Sequence, residues 1–160
     1  MPTDPVLASA RYLVGESLKE LRSSVEGLPV EALNWRPAGP DTNSIAAMAT
    51  HSLTSTRWWL SVAIDEPPPE RDRDSEFEAT ARDAGELLAF VDGLFEDCLS
   101  LVDKSRTVDW AALRSQWDPD TGVQLFAAWA LLHALGHLRE HVGQMALTRQ
   151  LWEAQAAGLE

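Results

Sequence analysis

Apolar residues recur every three or four positions along four separate stretches of this 160-residue chain, and nowhere do they alternate with polar ones over a useful length. A side chain that returns to one side every 3.6 residues belongs to a helix, whereas a half-buried strand needs a period of two. The pattern confines the chain to helices packed on one another. Thr3-Asp4-Pro5 supplies cap residues and a proline suited to a first helical position, ahead of Leu7, Leu13, Val14, Leu18, Leu21 and Val25. This first helix should run to about Gly27. LPVEALNWRPAGPDTN, with its three prolines, reads as a long connection, and a second helix should follow over roughly 43 to 64.

DEPPPERDRD stops that helix, because proline lacks the donor the ladder needs, and the stretch ERDRDSEFE reads as a solvated charged segment. Ser75 with Glu78 fits a capping box opening a third helix that carries Leu87, Leu88, Val91, Leu94, Phe95, Cys98, Leu101 and Val102. After a connection containing Trp110 and Trp117, Thr121 with Gln124 fits another box, opening a fourth helix that continues to about Ala156. The expectation is an all-α protein: one four-helix bundle domain over 1–160, with long connections after helices 1, 2 and 3. A chain this long can bury one substantial core.

Charge narrows the partners. Thirteen Lys and Arg against 25 Asp and Glu give a net charge of −12, which repels phosphate backbones and anionic lipid, so no nucleic-acid partner is expected. No uncharged apolar run of about 18 residues exists to cross a bilayer, so no membrane role is expected either. The first residues show no basic segment followed by an apolar stretch, and the lone Cys98 cannot staple its own chain. A cytoplasmic location is expected.

HALGHLREHVGQ places His133, His137 and His141 four residues apart. Positions four apart on a helix are offset by only about 40°, so either adjacent pair could reach one ion, whereas His133 and His141, about 80° and two turns apart, could not easily share one with His137. His51 shares its side of the second helix with Ala47, Met48, Ser55, Trp58 and Val62. The side bearing His137 and His141 also holds Ala130, Ala134, Gln144, Met145 and Thr148. Neither side carries a formal charge, so both should face inward and could meet. Three neutral imidazoles would bind a divalent ion, zinc or nickel best, at about 2.0–2.1 Å and leave a position open for water or substrate. The bland alternative is three ordinary polar helix residues, and spacing alone does not decide between the two.

LNWRPAGPDTNSIAAMATH and LLHALGHLREHVGQ, the latter ending in H-x3-H-x-G-Q, resemble the DinB/YfiT-like family of bundle metalloproteins, and helix order extends the resemblance over nearly the whole chain. The resemblance implies that His51, His137 and His141 are the metal ligands, with His133 adjoining them or packing. It also implies a small-molecule substrate, a low-molecular-weight thiol of the mycothiol or bacillithiol type as co-substrate, and a homodimer. The catalytic group would then be a water or thiol on the ion rather than a protein side chain. The function so implied is thiol transfer to, or isomerisation or hydrolysis of, a small electrophile. The alternative is a non-catalytic metal- or ligand-binding, stress-associated bundle.

Other residues have simpler roles. Cys98 lies in the apolar stripe of the third helix and reads as a small buried hydrophobe rather than a nucleophile. Trp58, Trp59 and Trp129 could wall a pocket but read first as core or interface residues, and Trp35 reads as packing on the bundle. Glu140 points about 100° away from His141, a poor position for a general base.

Overall fold

The computed structural model describes residues 4–104, 107–117 and 121–158. Four long helices make the bundle: α1 (Pro5–Val25), α3 (Ile45–Ala63), α5 (Ala84–Lys104) and α6 (Ala127–Ala156). Two short helices, α2 (Val30–Asn34) and α4 (Arg73–Phe77), lie in the connections, and β1 (Leu113–Trp117) pairs antiparallel with β2 (Gln124–Phe126). Among the described residues no helix is long and apolar enough to cross a membrane.

The helices contact one another in the cyclic order α1, α6, α3, α5, with little contact between α1 and α3 across the middle. Two apolar clusters divide the core along its length. One holds Leu21, Val25, Met48, Leu53, Val91, Leu138 and Met145. The other holds Leu7, Val14, Leu60, Cys98, Val102, Ala130 and Ala134. Reading along the chain, α1 and α6 run from the second cluster to the first, and α3 and α5 run the opposite way. The neighbours α3 and α5 are therefore parallel, and residues 64–83 must return the length of the bundle between them.

Local chemistry sets the helix ends. The Asp4 carboxylate accepts from the N–H groups of Val6 and Leu7, with Pro5 at the start of α1, while Thr3 of the expected cap lies outside the described residues. The Ser44 hydroxyl caps α3 by accepting from Ala47 N–H at 3.1 Å.

Two expected boundaries are corrected. Ser75 belongs to α4, where its N–H and hydroxyl both donate to Asp72, so no Ser75–Glu78 box opens the third long helix. The chain cannot continue helically from there, because the Asn34 side chain accepts from Ala81 N–H and donates to Ala81 C=O. The helix starts instead at Ala84, with Asp83 accepting from Glu86 N–H. Gln124 lies in β2 and donates to the Arg114 carbonyl rather than capping α6. The first N–H groups of α6, on Ala127 and Ala128, donate to the backbone carbonyls of Ala112 and Trp110. The hairpin itself was not anticipated, since strands of five and three residues are too short to display alternation.

At the C-terminal end of α3 the N–H of Glu66 reaches the Ser61 carbonyl at 2.9 Å and that of Asp65 reaches Val62 at 3.2 Å, the bonding of a Schellman motif. Asp65 takes the left-handed position at φ 67, where glycine is at ease, and it places a carboxylate at the negative end of the helix dipole. The Arg114 guanidinium, 7% exposed, donates to Val62 and Ala63 carbonyls at this same end. Replacing Asp65 with Gly should raise unfolding stability by about 0.5–1 kcal/mol, and replacing it with Val should lower it by a similar amount or more. Urea denaturation midpoints at constant m-value check both.

Candidate metal centre

His51 stands near the middle of α3, and His137 and His141 stand one turn apart on α6, on the faces these two helices turn to each other. The Nε2 atom of His137 lies 3.2 Å from Nε2 of His51 and 3.3 Å from Nε2 of His141. One ligand atom from each of the three lies within 4.8 Å of the other two, so these residues could hold a metal ion. His51 is 3% exposed and the other two are half-buried.

The remaining ring nitrogens determine the tautomers. His51 Nδ1 is 2.9 Å from Oε2 of Glu76, a buried carboxylate that accepts hydrogen bonds, so Nδ1 carries the proton and Nε2 a lone pair. Glu76 is clamped in turn by Arg71, whose Nε and Nη2 donate to its two oxygens at 2.8 and 2.7 Å. Phe77 stacks on the His51 ring with centroids 4.1 Å apart. On the other side His141 Nδ1 donates to Oε1 of Gln144 at 2.8 Å, and Gln144 Nε2 donates to Glu140. His141 therefore also presents a lone pair at Nε2.

Two lone pairs thus face His137 Nε2, which has at most one proton to give. Nδ1 of His137 is buried with no hydrogen-bond partner among the described residues, so neither tautomer of that ring satisfies the cluster. A cation at the convergence point satisfies all three Nε2 atoms together. Nitrogens each about 2.05 Å from one tetrahedral ion are separated by about 3.3 Å, close to the two spacings seen here. Burial, reinforced by repulsion from His141, His51 and His133, pushes His137 down to about 3. Burial also lowers His51 against the pull of Glu76, and both rings are neutral at pH 7, the form that donates a lone pair. The donor set fits a divalent ion.

His133 stays outside this group. Its ring stacks on Trp129, at 4.7 Å and 9°, and lies 5.6 Å from His137, with Trp59 edge-on at 4.8 Å. Trp59 and Trp129 therefore adjoin the centre, while Trp35 packs against Trp152 on the bundle. Glu140 reaches the site through Gln144, whose Nε2 donates to it at 3.2 Å. Cys98 is fully buried in the second cluster and burial pushes its thiol up to about 12, which excludes it as a nucleophile.

The reading of ERDRDSEFE as a solvated segment is corrected for Arg71, Glu76 and Phe77. Glu76 is 5% exposed and Arg71 reaches over α3 to Ser55. Their partners lie 16 and 25 positions away, a separation that no local pattern encodes. A carboxylate two places before the end of a charged run carries no signal of burial.

No curated protein matches the chain. Among solved structures it is similar to a conserved protein from Enterococcus faecalis, at 15% identity and a TM-score of 0.72, over 94% of this chain and 97% of that one, a likeness of fold. The model of the DinB superfamily matches residues 14–145, which hold the four histidines and most of the bundle, and the chain belongs to that superfamily.

Proposed function

We propose that His51, His137 and His141 bind a divalent ion, zinc or nickel, in a single-domain cytoplasmic protein that acts on a small electrophilic substrate with the help of a low-molecular-weight thiol or water. The observation that carries this reading is the meeting of three imidazole Nε2 atoms in a half-buried groove where protons cannot satisfy them all. An ion held there supplies Lewis acidity, which favours deprotonation of a water or thiol at neutral pH.

The chain's own residues prepare that chemistry. Glu76 and Arg71 fix the ring of His51, and Gln144 fixes that of His141, so the lone pairs point inward before any ion arrives. Burial holds the rings of His51 and His137 neutral, and Phe77 shields one face of His51 from water. With Cys98 remote and protonated, the sulfur nucleophile comes from a co-substrate, which loses its proton as its sulfur bonds to an electrophilic carbon, while that carbon either expels a leaving group such as halide or gives up a π bond whose far carbon takes up a proton. A thiol of the mycothiol or bacillithiol type suits this role.

Protein purified without added metal should carry about one ion per chain by elemental analysis, and His51→Ala or His137→Ala should remove it. Stoichiometric metal retained in both variants would overturn the ligand set. With metal present, consumption of an electrophile such as a haloaromatic or maleimide should depend on added mycothiol, bacillithiol or glutathione; thiol-independent turnover would instead mark a hydrolase, and no turnover a binding protein. Glu76→Gln should weaken metal affinity about 10- to 100-fold in competition with a chelating dye, while Glu140→Gln, on the solvent side of Gln144, should leave it within about threefold.

A further inference from the structure

Along the groove between α3 and α6, beyond His141, lies a cleft of about 320 Å³. Met48 comes from α3, Gln144, Leu147, Thr148 and Leu151 come from α6, and Asn43 comes from the connection that precedes α3. No residue lining it carries a formal charge, in a chain whose net charge is −12.

Two polar side chains in this cleft lack partners. The Thr148 hydroxyl is on a residue only 6% exposed, yet it makes no hydrogen bond to any described residue, and neither does the half-buried amide of Asn43. The contrast with α3 is plain, since Thr50, Thr54 and Thr56 all donate to the carbonyl four residues back. Both groups keep contact with solvent in the cleft, and a ligand offering one donor and one acceptor can take the place of that water and pair with them. An ionic ligand would meet no opposite charge here and would lose its hydration. The apolar remainder of the wall, Met48, Leu147 and Leu151, suits a short hydrocarbon chain. Gln144 belongs to both places, lining the cleft and accepting from His141 Nδ1.

We propose that this cleft binds an uncharged amide carried on a short apolar chain, as the non-reacting end of the substrate, with Thr148 and Asn43 as its hydrogen-bond partners. Assignment of this amide to the substrate rests on the proposed metal site, whereas its binding in the cleft does not. The size agrees, because about 320 Å³ is at the small end of ligand sites.

Butyramide and butyrate, nearly equal in size, separate the possibilities. Titrated into the metal-free full-length protein, butyramide should shift the methyl NMR signals of Met48, Leu147, Thr148 and Leu151 saturably, and bind at least about tenfold tighter than butyrate. Thr148→Val should remove that preference, and Asn43→Ala should reduce it, serving alone if the first variant does not fold. Absence of shifts, shifts scattered over the surface, equal binding of the two probes, or an undiminished preference in the variants would overturn the proposal. In zinc-loaded protein a hydroxamate tethered to such an amide should bind about tenfold tighter than acetohydroxamate, and equal binding would overturn the cleft's assignment to the substrate. Failure of the protein to bind zinc would defeat the metal reading while the butyramide result still decides the cleft.

Discussion

Because α3 and α5 are parallel neighbours, the chain between them must travel back along the bundle, and the site depends on that journey. The returning segment carries Arg71, Glu76 and Phe77 across the middle of α3, where His51 stands. An antiparallel α3–α5 hairpin with a short turn would leave His51 Nδ1 with no carboxylate and its ring face open. The same segment brings the Phe77 carbonyl to the Arg36 guanidinium, which also holds Thr42, so the connections before and after α3 are tied together over it.

The helix at the centre of this arrangement is unusual in composition. Fourteen of the residues of α3 are buried, among them Ser52, Ser55, Thr56 and Ser61. These hydroxyls cost little because Ser52, Thr56 and Ser61 donate back to their own helix, at 3.3, 2.7 and 3.0 Å. Small side chains on α3, with Ala127, Ala130 and Ala134 on α6, let the two helices approach closely, which brings imidazoles from both within reach of one point.

How much could be read from residue order follows from the range of each interaction. The four long helices and the Asp4 end were legible because periodicity and capping act within a few positions. The shared faces of His51, His137 and His141 were legible for the same reason, since Ala47, Met48 and Ser55 beside the first and Ala134, Gln144 and Met145 beside the other two are uncharged. Glu76 was not, since its burial is decided by the crossover and by Arg71, and a charged run looks solvated wherever it goes. The start of α5 was misplaced because Asp72 outcompetes the Ser75 signal and Asn34, far back in the chain, holds Ala81 out of a helix. Hairpin residues 113–126 fell below the length at which alternation can be recognised.

One feature of the second cluster bears on how the protein behaves among reactive thiols. Cys98 is the chain's single sulfhydryl, sealed between Phe95 and Val102 and almost wholly protonated near neutral pH. Disulfide exchange and alkylation both require a thiolate that reagents can touch. The thiol of the folded protein is therefore silent toward oxidised thiols and maleimides and resists being trapped as a mixed disulfide, so any thioether formed in its presence belongs to the added small molecule rather than to Cys98.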